Sequence, residues 1–162
     1  MANAADFIKA VTNVYKNHGV YVWGGNGELL TKSMNSIPAM ETSSDNTARV
    51  FRYIALCYDK GFNMKNSRIC DCSGLVVYAL REIGAIKQTD DYRAKDLQKM
   101  STAVRLSELK PGDLVFNKTS NASHVGIYDG KMVIEAQGRD YGITRRELSE
   151  GSWNIGGRLE LF

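Results

Sequence analysis

The hydrophobic period of this chain changes once, and that change limits the fold. Up to about Met100 the apolar residues recur at helical spacing; from Leu109 onward they alternate. A first helix is predicted from Ala4 to Asn17, with Phe7, Ile8, Val11, Val14 and Tyr15 on one stripe and Gly19 ending it. A second is predicted from Ser44 to about Lys60 on Val50, Phe51, Ile54, Cys57 and Tyr58, closed by Gly61. Cys57 falls on that stripe and reads as core. A third follows Asp71 with Leu75, Val76, Ala79, Leu80 and Ile83 and stops at Gly84. A shorter polar helix is expected over Asp91–Met100. His18 reads as a helix-end histidine. Residues Glu28–Ser43 have no clear period and read as loop around Ile37-Pro38. After the turn Leu109–Asp113, the stretches Leu114–Lys118, Ser123–Tyr128, Lys131–Gln137, Tyr141–Glu147 and Gly157–Phe162 read as short strands. Helices first and antiparallel strands after predict an α+β domain, with N-terminal helices packed on one side of a roughly five-stranded sheet. No repeat or linker interrupts the chain, so residues 1–162 are expected to form a single domain.

The third helix carries the first candidate for chemistry. Asp71 is a natural N-cap, which places Cys72 at the first helical position. Unpaired N–H groups and the positive end of the helix dipole meet there. Such a site favours thiolate, the nucleophilic form. A capped helix with a small buried thiol is the plainer alternative.

The second candidate is the ribbon Ser123–Gln137, with Asp129-Gly130 as a strong hairpin signal. A two-residue turn there sets Tyr128 opposite Lys131, Ile127 opposite Met132 and His124 opposite Glu135. Val125, Ile127, Met132 and Ile134 then share the apolar face. Directly opposed residues share a face, so the turn predicts a His124–Glu135 pair. A carboxylate on one imidazole nitrogen fixes the tautomer and leaves the other nitrogen for a nucleophile. Gln137, two residues further on, is the second choice for that orienting role. Gly126 leaves room for another backbone, most obviously the start of the Cys72 helix. Alone, the His–Glu pair reads equally as a weak surface ion pair.

Composition narrows the partners. A net charge of +3 suits an anionic polymer such as a bacterial wall but is too small to argue for nucleic acid. No apolar run has membrane-span length, and no secretory signal is evident at the start. Three cysteines, two of them separated by one residue, make a poor disulfide framework and suit a reducing compartment. Cys70, Cys72 and His124 lack an evident fourth ligand for zinc, so no metal or cofactor is expected.

Taken together, the blocks Tyr21-Val22-Trp23-Gly24-Gly25, Asp71-Cys72-Ser73-Gly74-Leu75-Val76, Leu109 to Phe116, and His124 to Tyr128 with Glu135-Ala136 resemble the NlpC family of bacterial cell-wall cysteine peptidases. Each block is weakly specific; their order is highly specific. The resemblance implies a papain-like fold, a Cys72–His124 catalytic pair and Glu135 as the orienting third residue. It implies that Tyr21 and Trp23 serve substrate binding or oxyanion stabilisation, and that Asp71 and Ser73 line the pocket for a peptidoglycan stem peptide. The bond expected to be cut joins D-glutamate to the following diamino acid. The family's third residue is most often His, with Asn or Gln also used, whereas Glu135 stands here. The stretch over residues 28–66 is long for the family and would cover the groove.

The expected chemistry is acyl transfer to Cys72 with His124 moving the proton, then hydrolysis. An N-acetylmuramoyl-L-alanine amidase or an acyltransferase would keep the same Cys and His, and a non-catalytic wall-binding module is the alternative from another class. A monomer made in the cytoplasm and acting on peptidoglycan after release, as a phage or mobile-element lysin does, is the expected setting, with secretion by another route as the alternative.

Overall fold

Residues 1–162 are described by a computed structural model. The chain opens with α1 (Ala4–Lys16), N-capped by Asn3, whose side chain accepts the Asp6 N–H at 2.8 Å. Phe7, Ala10, Val11 and Val14 form its buried stripe, as the period predicts. Strands β1 (Val20–Tyr21), β2 (Asn26–Leu29) and β3 (Arg68–Cys70) make a small sheet that the sequence reading missed. The middle strand, β3, runs parallel to β1 and antiparallel to β2. Strands this short carry too few residues for alternation to show.

Between β2 and β3 lie α2 (Leu30–Ser33), a 3₁₀ turn (Met34–Ser36), α3 (Ile37–Met40) and α4 (Ser44–Asp59). The loop expected over 28–43 is therefore mostly helical. Its pieces are single turns without a readable period, and Pro38 sits in the first turn of α3, where a missing N–H does no harm. Val20, Val22, Leu30, Ile37, Val50, Ile54, Cys57, Met64 and Ile69 pack into a local core that joins this stretch to the small sheet.

Next come α5 (Cys72–Glu82), α6 (Ala94–Lys99), β4 (Ser101–Val104), β5 (Leu114–Phe116), β6 (Val125–Tyr128), β7 (Val133–Gly138), β8 (Gly142–Arg146) and β9 (Ile155–Leu159). The strands form one antiparallel sheet in the order β4-β9-β5-β6-β7-β8. It has six strands rather than five. The extra one, β4, buries only Val104, so no alternation announces it. The sheet is also not a plain meander, because β9 returns to pair with β5 and β4.

The helix α5 packs against α1 and against β6 and β7. Its Leu75, Val76, Ala79 and Leu80 share the main core with Leu114, Phe116, Val125, Ile127, Ile134 and Ala136. Full burial of each large side chain contributes about 1.5–3 kcal/mol. Val115, Val133 and Trp153 form a smaller cluster of their own. No helix is long and apolar enough to cross a membrane.

The β6–β7 register differs from the expected one. Ile127 pairs with Ile134 and Tyr128 with Val133, which centres the turn on Gly130-Lys131 rather than Asp129-Gly130. The Asp129 carboxylate accounts for the slip. Its Oδ1 accepts the N–H groups of Lys131 (2.9 Å) and Met132 (2.8 Å), and Oδ2 takes Arg145 Nε at 2.6 Å. Met132 thus leaves the ladder and Ala136 joins the apolar face. Counted onward, Gly126 stands opposite Glu135, and His124 opposite Gln137.

Candidate active site

The first turn of α5 is held from several sides. Asp71 Oδ1 accepts the Gly74 N–H at 2.7 Å, closing the predicted N-cap, and also the Ser73 hydroxyl at 3.3 Å. Asp71 Oδ2 accepts the Gly24 N–H at 2.9 Å, and the Asp71 N–H donates to the Gly25 carbonyl at 3.0 Å. Burial pushes the Asp71 carboxyl up, against the pull of these hydrogen bonds. Gly74 permits the approach. A Cβ there would stand 1.8 Å from the Gly25 carbonyl oxygen, so no side chain fits. The Tyr21–Gly25 stretch and the Cys72 turn are therefore one packed unit.

Cys72 is half-buried at the helix N-terminus, with Sγ 3.9 Å from the Ser123 carbonyl oxygen. Cys57 and Cys70 are buried in the two separate cores. Burial pushes both of those thiols up. Cys70, sealed in the main core, does not line the groove with Cys72 and His124.

His124 does not open β6 as expected; it stands one residue before the strand. The Asn117 side chain fixes its backbone, with Oδ1 accepting the N–H groups of Ser123 (3.1 Å) and His124 (3.0 Å). Trp153 fixes the ring: the two stack with centroids 5.3 Å apart at 11°. Gly126 makes the space, and the neighbour is not the Cys72 helix: a Cβ there would lie 2.7 Å from Val133 Cγ1 and 3.0 Å from Trp153 Cη2. No local pattern points to Asn117 or Trp153; an amide just after a strand and a lone tryptophan before a Gly-rich strand were the only signals.

Glu135 is 3% exposed and places Oε1 3.7 Å from His124 Nε2. That separation is an ion-pair contact, too long for a hydrogen bond. Arg146 Nη2 meets the same oxygen at 2.9 Å. Gln137, opposite His124 by count, makes no hydrogen bond to it. The imidazole responds to opposed influences. Burial lowers its pKa, but the neighbouring Cys72 and Glu135 side chains prevail and raise it to about 9.

A groove of about 260 Å³ opens over this pair, lined by Tyr21, Trp23, Asp71, Cys72, Ser73 and His124, with Arg93 and Lys95 at its edge. Trp23 is half exposed. Tyr21 is partly buried, and burial first, then the neighbouring Cys72 and Asp71, pushes its phenol up. Behind them stands Glu41 from the stretch after α3. Its Oε2 accepts the Trp23 N–H at 3.0 Å and its Oε1 takes Arg139 Nη2 at 2.8 Å. The Arg139 guanidinium lies 5.3 Å from the centre of the Tyr21 ring. The 28–66 stretch therefore backs the groove wall through Glu41. The sequence reading missed both Glu41 and Arg139.

A sulfur at a helix mouth facing an imidazole from a sheet is the layout of a thiol nucleophile and its proton carrier. The NlpC/P60 family profile matches residues 58–155. The chain belongs to the NlpC/P60 family. Over 93 residues it is 38% identical to the murein DD-endopeptidase MepH of Escherichia coli K12, covering 51% of this chain and 32% of that protein. Over 86 residues it is 35% identical to the probable endopeptidase NlpC of Escherichia coli K12, covering 51% of this chain and 54% of that one. The match thus spans about half or less of these curated relatives. The NlpC/p60 domain of the peptidoglycan hydrolase SagA superposes with a TM-score of 0.59 at 18% identity, covering 98% of this chain and 100% of that one. RipD of Mycobacterium tuberculosis, described as a non-catalytic NlpC/p60 domain protein adapted to peptidoglycan binding, gives 0.57 at 18% identity, covering 94% and 96%. At such identities the structural likeness speaks for the fold.

Proposed function

We propose that this domain is a cysteine endopeptidase that hydrolyses peptidoglycan stem peptides, at the bond between D-glutamate and the following diamino acid. The observation that carries the reading is that Cys72 and His124 line one groove of about 260 Å³, with the Glu135 carboxylate 3.7 Å from the imidazole. Membership of the NlpC/P60 family and the endopeptidase names of its relatives support the substrate class.

The Cys72 thiolate attacks the scissile carbonyl, forming a C–S bond as the carbonyl π pair moves to oxygen. The Cys72 N–H, with the Tyr21 hydroxyl, stabilises that oxyanion; losing one such donor commonly costs about 10²–10³ in rate. Collapse breaks the C–N bond, and the His124 imidazolium gives its proton to the leaving amine. Water then attacks the thioester, His124 takes its proton, and the thiolate leaves. Glu135 orients the ring throughout. A pKa near 9 keeps His124 protonated, and so able to act as acid, at neutral pH. Asp71 holds the helix turn in place while its edge, with Ser73 and Trp23, faces the peptide. A single domain acting as a monomer on the wall after release from the cell fits this chemistry.

The test is digestion of purified walls of known stem-peptide type, with released fragments weighed by mass spectrometry. New D-glutamyl carboxyl and diamino-acid amino ends are expected from the native protein, and none from Cys72→Ala. Equal release by both would overturn the enzyme reading. Cleavage at the glycan–alanine bond would make it an amidase, and wall binding with no release would make it a binding module.

A further inference from the structure

Glu135 has two partners, and the nearer is not the imidazole. Oε1 stands 2.9 Å from Arg146 Nη2 and 3.7 Å from His124 Nε2. Glu135 faces Thr144 across the β7–β8 ladder, and Arg146 lies two residues further along β8. The arginine is held at a visible disadvantage. Its Nε is buried without a partner, and so is Thr144 Oγ1; its Nη1 reaches only the Glu150 carbonyl, at 3.3 Å. A buried unpaired donor is unfavourable, so simple packing at this position would be better served by an apolar side chain.

A buried carboxylate needs a counter-charge. Were His124 the only one, the carboxylate would hold the imidazole in its charged form, and the ring would resist giving up its proton. A second, permanent cation lessens that demand, because guanidinium stays charged at every working pH. We infer that Arg146 is a positioning residue of this site: it is the fixed counter-ion of Glu135, which frees His124 to cycle between imidazole and imidazolium. This rests on the Cys72–His124–Glu135 reading above and adds a fourth member to it. The charged and titratable groups around His124 are then Cys72 of α5 and Asp71 at its N-cap, Glu135 of β7, Arg146 of β8, Tyr21 of β1, and Arg93 and Lys95 lining the groove.

The test reads the imidazole directly. The protein has two histidines, so the ring signals of His124 are readily assigned by NMR against His18. In a Cys72→Ala background, which removes the sulfur's own influence, Arg146→Gln is expected to raise the His124 midpoint by about one pH unit. Arg146→Lys should restore most of the parent value, a rescue that lost packing would not produce. Glu135→Gln should lower the midpoint, and Glu135→Gln with Arg146→Gln should bring it back toward the parent. Backbone spectra of each variant report whether the fold is retained, and the lysine and double variants keep the question answerable if Arg146→Gln unfolds. An unchanged midpoint in Arg146→Gln, or a lowered one, would overturn the counter-ion role. The titration does not depend on wall cleavage, so an inactive native protein would sink the peptidase reading and leave this result standing.

Discussion

His124 and Trp153 lie as nearly parallel rings, 5.3 Å apart and tilted by 11°. The indole is 8% exposed and sits in space left by Gly126. The orientation of the imidazole thus depends on a residue from the far end of the chain. Trp153→Ala is expected to destabilise the fold by about 3–5 kcal/mol. Gly126→Ala forces the indole aside, and turnover should fall by up to about 10²-fold through a misplaced imidazole. Thermal melts and steady-state kinetics on a stem-peptide substrate measure the two effects; full turnover in Gly126→Ala would mean that the stack does not position the base.

The pH dependence follows from the raised pKa of His124. Its ordinary value is 6.5 and the folded value is about 9. A group bound more tightly to its proton in the folded state stabilises that state fully below 6.5, and the benefit is lost as pH rises through 9. Melting temperature should therefore decline across that window, and His124→Ala should flatten the decline. The rate should fall on the alkaline side near the same pH, because the leaving amine then lacks a proton donor.

Glu41 should matter although it lies outside the groove. Its side chain accepts the Trp23 N–H and pairs with Arg139, which lies over Tyr21. Glu41→Ala leaves both groups unpaired and should destabilise by about 3–5 kcal/mol. Glu41→Gln keeps the acceptor for Trp23 and should mainly raise KM, since it loosens the wall and spares the nucleophile. Melts and a kcat-against-KM comparison check this; a kcat loss alone would place Glu41 in the chemistry.

Glu135 and Gln137 are both near enough along β7 to be the third residue. Contact favours Glu135, so Glu135→Ala should lower kcat on the order of 10²-fold with KM little changed. Gln137→Ala should stay within about twofold of the native rate. The reverse pattern would assign the role to Gln137.

Cysteine accessibility gives a simple assay. Iodoacetamide should add once to the native protein, at Cys72, because Cys57 and Cys70 are 2% and 0% exposed. All three cysteines should react in denaturant. Peptide mapping that finds native Cys57 or Cys70 modified would contradict this core packing.

Much of this was legible in the sequence, for a physical reason. The helix period located α1, α4 and α5 within a residue or two, since each buries one stripe against a core. The hairpin register differs by two residues from the Asp129-Gly130 count, yet the paired side chains keep their faces, all but Met132, because a shift of two preserves strand alternation. That is why His124 and Glu135 still meet. What stayed hidden was partnership at long range. Glu41 and Arg139 are 98 residues apart, and Trp153 reaches His124 from a stretch with no period. Asp129 moved the turn by using its side chain where a backbone carbonyl was expected. Such choices are made by tertiary packing, and no local pattern encodes them.

The crossing of Gly25 and Gly74 has a consequence for anyone who would re-engineer this domain. With 1.8 Å between a notional methyl at 74 and the Gly25 oxygen, and Asp71 hydrogen-bonded to both Gly24 and Gly25, the loop and the helix mouth are fitted to each other. Grafting a foreign specificity loop in place of Tyr21–Gly25 would thus shift the sulfur as well, and transplants that carry both segments as a matched set should outperform those that carry either alone.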